Sequence, residues 1–355
     1  MTLLKLELTS LSKKIISLGL FLLPITLLLN AQKHWPVVEL LTSGTNTSLR
    51  GISVVNDNVV WVSGSNGTVG KTTNGGKNWK WFTVKGFEKK DFRDIEAFDA
   101  TTAVIISVDE PGYILRTHDG GETWRIVYEN KTKGMFLDAM EFWNEQNGIV
   151  IGDPIDGRFF IVRSFDGGST WNEIPFERRP LADSGEACFA ASGTNIRALD
   201  RDEAVFVSGG AKSKIFIRNS ATQLPFVRGT ETAGANSISV YDYNKRNSGK
   251  RMIVVGGDFN ALSSNIKNCF LTSNHGKSWW APKIPPHGYR SCAEYFLSKK
   301  NIVACGPSGV DYTIDGGKTF SLISQEGFHT CRAAKYGTSI FLAGADGKVA
   351  RLAWK

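Results

Sequence analysis

The chain has 355 residues, 41% of them apolar and 21% charged, which is enough to build a sizeable core and excludes wholesale disorder. Its formal charge of +8 is scattered as Lys and Arg among Asp and Glu, with no basic run of the kind that marks a nucleic-acid arm, so no nucleic-acid partner is expected. The 37 Gly, ten Trp and 21 Phe call for many tight turns and repeated aromatic packing positions, which suit short strands better than long helices.

In chain order, the first element is a leader. Lys5, Lys13 and Lys14 precede an apolar run from Ile15 to Leu29, and the small Ala31 follows before Gln32 and Lys33. That layout predicts a Sec-type signal peptide over 1–31, since the run falls short of the ~20 residues that a spanning helix needs. Leu29 is a poor match for the small residue expected two positions before Ala31. The mature protein, 32–355, is then expected to be secreted or periplasmic, and to carry +6 once three Lys and one Glu leave with the leader.

The mature chain opens with an orphan strand, His34-Trp35-Pro36-Val37-Val38-Glu39. Four short strands follow over 49–55, 59–64, 68–72 and 79–84, with turn residues between them. The turn before the fourth strand recurs. Segments 72–79, 117–124, 164–171, 272–279 and 313–320 share Ser or Thr at the first position, Asp or Asn at the third, Gly at the fifth and an aromatic at the eighth. Asn74, Asp119, Asp166, Asn274 and Asp315 can bond nearby backbone amides, Gly supplies positive φ, and Trp79, Trp124, Trp171, Trp279 and Phe320 anchor the outgoing strand.

The terminal aromatics are 45, 47, 108 and 41 residues apart, and 108 is two steps of 54, so one turn has lost its motif. The segment 215–226 occupies that place. A period of this size with strand patterning predicts an all-β, seven-bladed propeller of four-stranded blades. The first inner strand begins at Leu49, and its equivalents in later units are expected near Phe92, Phe136, Ala187, Ser237, Ser291 and Thr330, which makes seven. The seventh unit ends near Trp354 after three strands, and Trp35 lies 44 residues before Trp79, so the orphan N-terminal strand is expected to complete the last blade.

All five cysteines, Cys188, Cys269, Cys292, Cys305 and Cys331, lie in the second half. An odd count in an exported chain leaves at least one free thiol, and the expectation is buried, inert thiols rather than a disulfide framework. Cys292 and Cys331 occupy similar places in neighbouring inner strands, where a bridge is conceivable.

The five turns resemble the Asp-box of BNR-repeat propellers. The runs Leu49-Arg50-Gly51-Ile52, Asp91-Phe92-Arg93-Asp94, Gly152-Asp153-Pro154, Gly185-Glu186-Ala187, Gly256-Gly257-Asp258 and Tyr289-Arg290-Ser291 with Gly306-Pro307-Ser308-Gly309 resemble, in this order, the photosystem II stability/assembly-factor-like proteins. The resemblance spans about 33–354. It implies a propeller that acts by binding, as the photosynthetic members assist assembly of a membrane complex. An oxidoreductase label attached to some relatives finds no support, because Gly64, Gly67 and Gly70 lie between short strands with no following helix, and no cofactor is expected.

Strand order assigns residues to two faces. Connections into inner strands and turns after second strands share one face, called upper here, and the Asp-boxes lie on the other. Arg50, Arg93, Asp138, Glu186, Tyr289, Arg290 and His329 enter the inner strands at the upper face, while Asp109, Asp153, Asp258 and Ser308 follow second strands. The candidate funnel is Arg50, Arg93, Asp153, Glu186, Asp258, Tyr289, Arg290 and His329. Its mixed charge suits an envelope or membrane-associated protein, or a glycan or other carboxylate ligand, bound by a monomer. Two scaffold pairings compete with that reading, Arg93 with Asp138 and Arg290 with Glu186.

The alternative is a sialidase-like glycoside hydrolase, with Tyr289 as nucleophile and Glu186 or Asp153 as acid/base. The sialidase Arg-Ile-Pro signature is absent, and seven blades put the spacing of such a site in doubt. No residue is assigned as catalytic. The five His never fall in a close pair, so no metal site is expected from them. The segment 176–184 is long enough to be a lip over the upper face.

Overall fold

Residues 35–354, apart from 219, 244 and 247, are described by the computed structural model, so the leader expected over 1–31 lies outside the described residues. Short strands punctuated by Gly-rich turns form seven antiparallel sheets, as the repeat predicts. Blade one comprises Leu49–Val54, Val60–Gly64, Thr68–Thr72 and Lys80–Thr83. Blades two, three and six follow the same order, with inner strands Phe92–Ala97, Leu137–Phe142 and Cys292–Phe296. In blade five, Ala233–Val240, Met252–Asp258 and Cys269–Thr272 are completed by a bridge between Leu271 and Trp280.

Closure occurs as the orphan strand predicts. Val37–Thr42 pairs antiparallel with Val349–Ala353 and becomes the outer strand of blade seven, whose inner strand is Thr330–Ala333. Trp35 packs edge-on against Tyr312 of blade six, at 5.9 Å between ring centroids.

Each Asp-box is a cross-braced turn. In the second, the Thr117 hydroxyl donates to Asp119 at 2.8 Å and accepts from the Gly121 N–H at 3.0 Å, while Asp119 accepts from the N–H and hydroxyl of Thr123. Those bonds hold the Asp119 carboxyl well below its ordinary range. The same pattern recurs around Asn74, Asp166, Asn274 and Asp315. The aromatic that closes the box then reaches the core: Trp124 packs on the fully buried Trp61 of blade one, and Trp171 on Phe142. Apolar clusters run between successive blades, so each blade buries its faces against its neighbours.

Blade four departs from the repeat. In place of an Asp-box, Lys214–Ile217 runs almost directly into its antiparallel partner Ser220–Gln223. Its inner strand also begins at Ile196 rather than at Ala187. Glu186–Ala187 is a stub that pairs with Gly209–Gly210, and Gly209 pairs in turn with Gly234 of blade five; the eight residues 188–195 lie outside any strand before the chain enters the sheet of blade four as Ile196–Ala198.

That detour plugs the central channel. The Ser192 hydroxyl donates to the Ser291 carbonyl of blade six, the Thr330 hydroxyl of blade seven donates to the Ser192 carbonyl, and the Ile238 N–H of blade five donates to the Thr194 carbonyl. Arg332 donates to the Gly193 carbonyl at 2.8 Å. Gly193 has a φ of +63°, and a Cβ there would stand 2.4 Å from the Asp94 carboxyl carbon, so only glycine fits this crossing.

Candidate binding site on the upper face

The upper end of the channel is a dish floored by the plug. Arg50 donates to the Ala191 carbonyl at 3.2 Å, and Arg93 to the Ala190 carbonyl at 3.4 Å. Arg93 is also paired with Asp91 at 2.8 Å, whereas Arg50 has no carboxylate within ion-pair distance among the described residues. Burial and the neighbouring Arg93 charge lower the Arg50 pKa from its ordinary value. His329, bonded to the Ser48 hydroxyl at 3.2 Å, is held down to about 3 by burial and then by Arg50, Lys348 and Arg93. The positive field in this sector therefore favours an anion.

On the blade-three side the sign reverses. Asp153 accepts the Cys188 N–H at 2.8 Å, and burial pushes its carboxyl up to about 6. Asp138 is fully buried and pushed up by burial and by Asp153. Because the folded Asp153 pKa lies above its ordinary 3.8, its contribution to stability is intact below about pH 3.8 and is lost as pH rises through about 6. Asp153→Asn keeps an oxygen for the Cys188 N–H and is expected to gain up to roughly 3 kcal/mol over the parent at pH 7.5, with no gain near pH 4. Urea unfolding at the two pH values measures this.

The other funnel residues are placed differently. Glu186 accepts from the Ser208 hydroxyl, from the Asp183 N–H at 2.8 Å and from Lys214 at 2.9 Å, and its side chain is buried. The Tyr289 hydroxyl donates to Asn236 at 2.7 Å, and burial raises its pKa. Arg290 is fully buried and donates to Asp311 at 2.7 Å, to the Tyr289 carbonyl and to Ser308. Asp258 accepts from Thr232 and from the Asn260 N–H, bracing a turn. Neither scaffold pairing forms: Arg93 bonds Asp91 instead of Asp138, and Arg290 bonds Asp311 instead of Glu186, because the nearer acidic residue in each case lies on the adjoining turn or strand. The hydrolase roles for Glu186 and Tyr289 meet groups that already have protein partners.

Sequence reasoning missed an apolar rim. The long connection after the second strand of blade five exposes Phe259, Leu262 and Ile266. Phe259 packs edge-on against Phe189 of the plug at 5.7 Å and against Tyr289 at 6.4 Å, while the Leu262 carbonyl accepts the Tyr289 N–H. Segment 176–184 packs on the edge of blade three, where Arg158 donates to the Arg179 carbonyl and lies over Phe176.

At the lower end the channel opens into a cavity of about 330 Å³ lined by Glu96, Glu141, Arg197, Glu294, Arg332 and Lys335 among others. Most of these charges are paired: Arg197 bridges Glu141 at 3.2 Å and Glu294 at 2.9 Å, Lys335 meets Glu96, and Arg332 stands 4.0 Å from Glu294. Burial pushes Glu294 up to about 7. Glu96, Glu141, Arg197, Glu294 and Arg332 all lie on inner strands, a recurrence of charge that the sequence carried.

Fold and site together define an Asp-box propeller with a closed channel and an apolar-rimmed upper dish that is cationic around Arg50 and Arg93 and acidic on the blade-three side. Its first blades are similar to the family described as photosynthesis system II assembly factor YCF48, whose profile matches residues 28–136. The resemblance read from the ordered motifs therefore holds. A structure described as YCF48 bound to D1 peptide shares 16% identity and a TM-score of 0.62, over 89% of this chain and 95% of that one. YCF48 from Cyanidioschyzon merolae shares 17% identity and a TM-score of 0.63, over 89% and 98%. The Pan2 WD40 domain of Neurospora crassa, at 11% identity and a TM-score of 0.56 over 87% and 89%, shares the propeller fold. No curated protein matches the chain in sequence.

Proposed function

We propose that this protein is an exported, non-catalytic binding and assembly scaffold that captures a segment of an envelope or membrane-associated protein on its upper face. Arg50 and Arg93 receive a carboxylate of that segment, and Phe259, Leu262 and Ile266 receive its apolar flank. The observation that carries this reading is Arg50, a largely buried guanidinium in a positive field with a backbone carbonyl as its protein partner. An Arg in that setting is suited to a planar anion, which it can bind through two parallel bonds. The likeness to a propeller described as bound to a peptide supports a protein segment as the ligand.

The test is affinity capture from envelope extract with the mature protein and its Arg50→Ala/Arg93→Ala variant, after both are shown to fold. Loss of one or two charge-assisted hydrogen bonds predicts a roughly 10- to 100-fold weaker retention of the captured protein. Equal retention by the two proteins contradicts the placement of the site.

A further inference from the structure

Three of the five cysteines converge. Cys292 on the inner strand of blade six is the cross-strand partner of Cys305, and Cys331 comes from the inner strand of blade seven. The three sulfur atoms lie within 4.8 Å of one another, and those of Cys292 and Cys331 are 3.6 Å apart. All three residues are fully buried among Phe296, Val303, Val310, Phe328 and Leu342. They are free thiols, so the conceivable Cys292–Cys331 bridge is not formed.

We propose that Cys292, Cys305 and Cys331 form a three-coordinate thiolate site for a soft monovalent metal ion, copper(I). Three sulfurs arranged around one ion at ~2.3 Å stand about 4 Å apart, which is close to the spacing present. A disulfide would need two of them to close to about 2.05 Å and would leave the third without a role. Zinc in a structural site takes four ligands, and no His, Asp or Glu joins this group among the described residues. A dry, all-sulfur shell of three suits copper(I). Binding is an exchange without redox change, in which one copper(I) ion displaces three thiol protons to solvent and forms three copper–sulfur bonds.

The experiment loads the reduced, metal-stripped protein anaerobically with copper(I), both in the native state and during refolding, and measures copper retained after desalting together with cuprous-thiolate luminescence. About one copper per chain is expected, lost in Cys292→Ala, Cys305→Ala and Cys331→Ala and kept in Cys188→Ala and Cys269→Ala. The proposal is overturned if the folded parent retains no copper by either route, if Cys292→Ala retains as much as the parent, or if zinc displaces copper from the site. A thiol count showing a Cys292–Cys331 disulfide in the protein as isolated overturns it as well.

Discussion

Removal of residues 35–42 is expected to destabilise the whole propeller by at least roughly 3 kcal/mol, read as a lowered urea midpoint for a single cooperative transition. The strand Val37–Thr42 supplies the outer edge of blade seven through five paired positions with Val349–Ala353. Its loss strips those hydrogen bonds and leaves an open sheet edge between the last blade and the first. Val38 packs against the cluster shared by blades six and seven, and Leu41 against that of blades seven and one, so apolar contact is lost on both sides. The exposed pair between Glu39 and Arg351 contributes little by comparison. Unchanged stability of the shortened protein would show that closure does not depend on this strand.

Arg290→Ala is expected to cost about 3–5 kcal/mol, because it leaves a buried carboxylate without its main partner. Arg290 and Asp311 are both fully buried, and Asp311 then keeps the His287 ring nitrogen at 2.6 Å and the His287 N–H at 3.1 Å. Replacing both members, as in Arg290→Met/Asp311→Leu, is expected to recover much of the loss, since removing a buried pair together is far less costly than breaking it. Thermal and urea unfolding of the single and double variants measure this. An Arg290→Ala protein of parental stability would return Arg290 to the candidate binding residues.

The fold was legible because its signals are local and repeated. The Asp-box needs a small acceptor, a glycine and an aromatic within eight residues, and the period of the aromatics counts the blades even where one box is absent. Closure was legible from Trp35, one period before Trp79. The inner strand of blade four was not, since Glu186 and Ala187 occupy the expected register and nothing in 188–195 marks a departure from the sheet. The contacts that hold this plug come from Arg50, Asp94, Ser237, Ser291, Thr330 and Arg332, residues far from it in the chain. Partners within a crowded axis were equally hidden: sequence order suggested Arg290 with Glu186, whereas the strand pairing of blade six brings Asp311 beside Arg290. Arg50 and Arg93 were found because their position at the start of an inner strand places them at the upper face, and the apolar rim was missed because Phe259, Leu262 and Ile266 lie in a connection without a repeat equivalent.

The most direct test of the central claim is a titration of the captured segment, synthesised with a free carboxylate and with that carboxylate amidated, against the parent protein and Arg50→Ala. The account predicts that amidation weakens binding to the parent roughly 10-fold or more and has little further effect on Arg50→Ala. Equal affinity of the parent for both forms would contradict carboxylate capture at Arg50.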